Sequence, residues 1–71
     1  MSDFDLGLLI REHRKAAGLT QLELADLAGI GKTTVFDVEK NKVSVRWDSL
    51  KAILNVLNIE VQFISPLKNN R

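Results

Sequence analysis

Residues 29–34 read GIGKTT, the ending of a phosphate-cradling loop in which a lysine and a hydroxyl follow glycines. That loop's first glycine would fall at position 26, where Asp26 stands, and no strand-like run precedes it, so a nucleotide site is excluded. His13 is the only histidine and cysteine is absent, which removes thiolate and transition-metal clusters, and no cofactor is expected. His13 also has no nucleophile or acid partner in the pattern around it; it reads as a packed or half-exposed side chain, not a catalytic base. What remains is contact chemistry. Lys32, Thr33, Phe36 and Asp37 offer a cation, a hydroxyl, a ring and a carboxylate over a short span, followed by Lys40, Asn41 and Lys42. Nothing here reads as an enzyme.

The chain that must position them has 71 residues, with ten Lys plus Arg against nine Asp plus Glu, a formal charge of +1. That is far from the balance of a non-specific nucleic-acid coat, so any basic patch is local: Lys32, Lys40, Lys42 and Arg46 fall together mid-chain, while acids crowd towards the N-terminal part. A single small domain over residues 1–71 is expected, of a size at which oligomerisation commonly supplements one core. No apolar run reaches the roughly 20 residues of a membrane span and MSDFD is not signal-like, so a cytoplasmic protein is expected. Ser2 with Asp5 can cap a first helix whose inner stripe is Leu6, Ile10, His13 and Ala17, ended by Gly18. TQLE at 20–23 is a capping box opening a second helix to Ala28. Gly29 permits a sharp turn, Ile30 points inward, and a third helix, KTTVFDVE, packs Val35 and Val38 and ends near Asn41. A fourth carries Trp47, Leu50, Ile53, Leu54 and Leu57 at helical spacing up to Asn58, with Arg46 a poor cap at its entry.

Two short helices joined by a glycine turn have the form of a helix-turn-helix, the second helix being available to a DNA major groove. The string GLTQLELADLAGIGKTTVFDVEKNK, residues 18–42, resembles the core of the phage-repressor-like (XRE) helix-turn-helix family, and the resemblance runs from about Leu6 to Ile59. It implies a mainly α fold of four to five helices, with the helix-turn-helix over about 20–40. By it, Arg14 pairs with Glu39, tying the first helix to the end of the third, and Gln21 contacts a DNA phosphate, helped by the positive end of its helix. The third helix would present Gly31, Lys32 and Thr33 to the groove and, one turn on, Phe36 and Asp37. Lys32 can donate to guanine, Thr33 and Phe36 can touch a thymine methyl, and Asp37 can accept from cytosine N4. Lys40, Asn41 and Lys42 would hold phosphates on the other side of that helix. Phe36 and Asp37 depart from the small or polar residues usual there.

Residues 59–64, IEVQFI, alternate as a half-buried strand, with Ile59, Val61 and Phe63 on one face and Glu60, Gln62 and Ile64 on the other. Within the chain only VSV at 43–45 offers itself as a neighbour. A second copy supplies an identical strand, and antiparallel pairing about a twofold axis satisfies both. A homodimer through this strand is therefore expected. That plan, four XRE helices and one dimerising strand, resembles HipB-type antitoxins. It implies a regulator that binds an inverted-repeat operator of its own operon and associates with a HipA-type kinase toxin. Another XRE repressor, of phage or restriction systems, is the alternative. So is a protein-only module using Phe4 and Leu8.

Overall fold

The computed structural model describes residues 4–42 and 44–67. Among them lie four helices and no strand: α1 (Leu6–Ala16), α2 (Gln21–Ala28), α3 (Lys32–Glu39) and α4 (Trp47–Val56). The core is Ile10 of α1, Leu24 and Ala25 of α2, Val35 and Val38 of α3, and Ile53, Leu54 and Leu57 at the end of α4. Ile10, Leu24, Val35 and Ile53 are fully buried. Each such side chain contributes about 1.5–3 kcal/mol relative to exposure, more than any single helix cap. Packing is thus what holds these short helices together.

α2 opens as its sequence requires. The Glu23 amide donates to Thr20 Oγ1 at 3.0 Å and the Thr20 amide to Glu23 Oε1 at 2.8 Å. It closes at Gly29, whose φ of +71° lies in the left-handed region, and the Ile30 amide then turns back to the Ala25 carbonyl at 3.0 Å. This tucks Ile30 against the core and starts α3 across α2. At the other end of α3, Asn41 (φ +60°) breaks the helix, and Asn58 (φ +59°) does the same after α4.

α1 differs from its expected form in two ways. Ser2 lies outside the described residues, and the cap is Asp5, whose carboxylate accepts from the Leu8 amide at 2.9 Å. The buried ridge is Gly7, Ile10 and Arg14; His13 and Ala17, expected on it, are exposed, and His13 Nδ1 donates to the Leu9 carbonyl at 2.8 Å. The cause is Gly7. A Cβ built there would meet the Glu39 carbonyl oxygen at 2.5 Å, so α1 lies on the last turn of α3 through a position only glycine can occupy, and that contact sets the face α1 buries.

α4 begins at Arg46, which gives no side-chain cap. Its guanidinium instead meets Asp48 at 2.9 Å with both side chains largely in solvent, and pairs of that kind contribute little. Trp47, expected in the core stripe, is 51% exposed and its ring stands 6.1 Å from that of Phe63 at 60°. The segment after Asn58 forms no ladder: Ile59 donates back to Leu54 and packs on the core, but from Glu60 to Pro66 no backbone group pairs with another backbone group among the described residues. The strand expected at 59–64 is therefore not formed among the described residues: the segment runs past Trp47 and the start of α1 with no backbone ladder beside it, Val43 of the VSV run is outside the described residues, and Ser44 and Val45 are in no strand. Val61, Gln62, Phe63 and Ile64 are exposed, Phe63 at 83% and Ile64 at 86%.

Candidate nucleic-acid interface

The turn at Gly29 aims the start of α3 outward. Gly31, Lys32 and Thr33 are exposed there, and one turn on Phe36 is 45% exposed and Asp37 half-buried, whereas Val35 and Val38 are spent on the core. The first turn of α3 thus presents a cation and a hydroxyl to solvent, and the second turn a ring and a half-buried carboxylate.

Behind this face, α3 is braced. Arg14 Nε donates to Glu39 Oε2 at 2.6 Å, Nη2 donates to Glu39 Oε1 at 3.1 Å, and Nη1 donates to the Leu19 carbonyl at 2.9 Å. Gln21 Nε2 gives Glu39 Oε1 a further donor at 3.1 Å. The Arg14 and Glu39 side chains are 9% and 5% exposed, so both charges are removed from water and hold only because each is met by several partners. Burial pushes the Glu39 carboxyl up, but the hydrogen bonds from Arg14 and Gln21, with the charges of Arg14 and Arg11, outweigh it and hold it below its ordinary value of 4.5. The Arg14 guanidinium is raised in turn, first by its bond to Glu39. This network ties α1, the start of α2 and the end of α3 into one unit.

The residues expected to hold phosphates together on the far side of α3 divide. Lys40 stands with its Nζ 5.3 Å from the Phe36 ring centroid, an attraction of about 0.5–1 kcal/mol at an exposed site. It shares a cavity of about 290 Å³ with Arg11, Gln21, Phe36 and Glu39, and so lies on the same side as Gln21. Asn41 serves as a clasp: its Oδ1 accepts from the Gly7 amide at 2.9 Å and its Nδ2 donates to Asp5 Oδ1 at 2.8 Å. The Asn41 bond is the main cause that holds the Asp5 carboxyl below its usual range. Lys42 lines a separate groove of about 240 Å³ with Leu6, Val38, Asn41, Val45 and Leu50. Sequence reasoning missed Gly7, Arg11 and the Asn41 clasp; the one available signal was glycine inside an otherwise regular amphipathic helix.

A family model described as a helix-turn-helix matches residues 10–64. The chain belongs to this family. It is of the XRE type, and the matched residues include α2, α3 and α4. An HTH-type transcriptional regulator of Sinorhizobium fredii, y4mF, is 32% identical over 62 residues, which cover 87% of this chain and 82% of that one. Another, of Methanothermobacter thermautotrophicus, is 53% identical over 36 residues, and there the matched region spans about half of each protein, 51% and 52%. Among solved structures, a chain described as MDT protein and a chain of a HipA–HipB–O2–O3 complex each superpose with a TM-score of 0.77 at 25% identity over 94% of both chains. The helix-turn-helix fold therefore extends over nearly the whole chain.

Proposed function

We propose that the protein is a sequence-specific DNA-binding repressor, active as a homodimer on an inverted-repeat operator upstream of its own gene, and the antitoxin partner of a HipA-type kinase toxin. The observation that carries the DNA reading is the first turn of α3: its polar side chains are free to solvent while the Arg14–Glu39–Gln21 network fixes the helix behind them. The HTH-type regulators among its relatives support a non-enzymatic role of this kind. Likeness over nearly its full length to a chain from a HipA–HipB complex supports the antitoxin role. The exposed apolar run Val61, Phe63 and Ile64, with unpaired backbone, supports the dimer, because an identical run from a second copy satisfies both. A DNA-bound regulator of this sort works in the cytoplasm.

Footprinting on the region upstream of its own gene tests the reading. Two protected half-sites ~34 Å apart on one face of the duplex are expected. Lys32→Ala should cost about 1–3 kcal/mol on that site and much less on random DNA. Equal losses on both would make Lys32 a phosphate contact. Lys42→Ala should weaken both alike. If no duplex binds even at low salt, the protein-only module remains, for which Leu8 at 45% exposure offers an apolar contact on α1.

A further inference from the structure

The cavity beside α3 brings together side chains that the sequence keeps far apart. Arg11 comes from α1, Gln21 from the first residue of α2 and Lys40 from the C-cap of α3, with Phe36 and Glu39 completing the lining. Its one carboxylate is already engaged: Glu39 accepts from Arg14 through both oxygens and from Gln21 through Oε1. Arg11 and Lys40 are exposed, and among the described residues neither has a carboxylate within ion-pairing distance. The Phe36 ring holds the Lys40 ammonium near 5.3 Å, which keeps that cation beside the cleft. The result is a concave polar surface with two exposed cations in no ion pair, an amide and a carboxylate whose oxygens are already bonded to Arg14 and Gln21, Arg11 acting on that carboxylate only through its charge. At about 290 Å³ it admits a phosphate group with a few waters, each of which takes about 30 Å³ in the liquid.

We infer that this cleft seats one backbone phosphate of duplex DNA, gripped by Arg11 on one side and Lys40 on the other. The inference rests on the DNA-binding reading and deepens it. It adds Arg11, which lies outside the helix-turn-helix, to the interface. It also moves Lys40 to the edge of the duplex that Gln21 approaches, leaving Lys42 alone on the other. A phosphodiester is favoured over a free phosphate ion because Phe36, an exposed residue of α3, lines the cleft, so that an anion held there lies against whatever Phe36 touches. Phe36 belongs to both surfaces, which joins the phosphate contact to the contact with bases.

The test is titration of a random-sequence duplex at several salt concentrations with the wild-type chain, Arg11→Gln, Lys40→Gln and the double variant, with melting temperature measured on each. Either single substitution should lower affinity several-fold at low salt and reduce the slope of log K against log salt by about one counterion, and the double by about two. Arg11→Lys should restore the slope; both Arg11 variants should melt with the wild type because that side chain is exposed, and the Lys40→Gln variants should fall by no more than the loss of the Phe36 contact. Wild-type binding with Arg11→Gln unchanged in affinity and slope would overturn the cleft and leave the DNA reading standing. Wild-type chain that binds no duplex would overturn both. A loss for Arg11→Gln that tracks a fall in melting temperature would also overturn it, since Arg11 would then be structural. Inorganic phosphate displacing the duplex at millimolar concentration from wild type but not from Arg11→Gln would support the seat; equal displacement from both would count against it.

Discussion

The braced end of α3 and the segment after Asn58 are built on opposite terms. At Glu39 every buried charge is answered inside the chain: Arg14, Gln21 and the Leu19 carbonyl close the network, and among the described residues no buried side-chain polar atom lacks a hydrogen bond. From Glu60 to Ile64 the reverse holds, with apolar side chains largely in solvent and no backbone group paired with another among the described residues. The first region explains the protein as a single chain. The second is explicable only with something laid beside it, and the something we propose is a second copy.

The comparison can be broken from either side. Removing residues 60–71, with Ile59 kept because it packs on the core, should leave the helical circular dichroism in place. The same cut should lower affinity for an inverted-repeat duplex by about 10²-fold or more, since the second half-site is no longer held at high effective concentration. Glu39→Ala should act on the other region and cost about 3 kcal/mol of fold stability by denaturant titration, because it strands a desolvated guanidinium. The loss stays at that lower end because Arg14 keeps its bond to the Leu19 carbonyl. Gly7→Ala should cost about 1–3 kcal/mol, as its methyl meets the Glu39 carbonyl and α1 must move off α3.

The pH response follows from the same network. Glu39 is held below 4.5 in the fold, so its share of stability is fully present above that value and is lost as pH falls through the lower folded value. The gap in melting temperature between wild type and Glu39→Gln should therefore be constant near neutrality and close in acid. A gap that stays open in acid would show that the carboxylate charge contributes nothing. Smallest of all, Asp48→Asn should leave the melting temperature unchanged, because its pair with Arg46 is exposed on both sides.

What was legible in the sequence was what is local. The capping box at Thr20 and Glu23 spans one turn, and the Gly29 turn and Asn58 stop are written in single residues, so their hydrogen bonds follow from neighbours alone. The face of α1 was misjudged because its determinant, Gly7 against Glu39, joins residues distant in the chain. The bonds of Asn41 to Gly7 and Asp5 are not legible in the sequence because those partners lie 34 and 36 residues away. That Lys40 shares a cleft with Arg11 and Gln21 is hidden for a related reason: the cleft exists only once α1 and α2 have packed. Arg14 with Glu39, 25 residues apart, was accessible only through family resemblance and not through spacing. The alternation of IEVQFI did signal a strand, but a strand is a property of two segments and the single chain holds one.

The central claim is that this helix-turn-helix domain reads DNA as a pair joined through that segment. Native mass spectrometry of the full chain mixed with a duplex carrying the region upstream of its gene tests it most directly. The account predicts a dimer alone and a complex of two protomers with one duplex, both lost on removing residues 60–71. A complex of one protomer per duplex, or a dimer that survives the truncation, would contradict it.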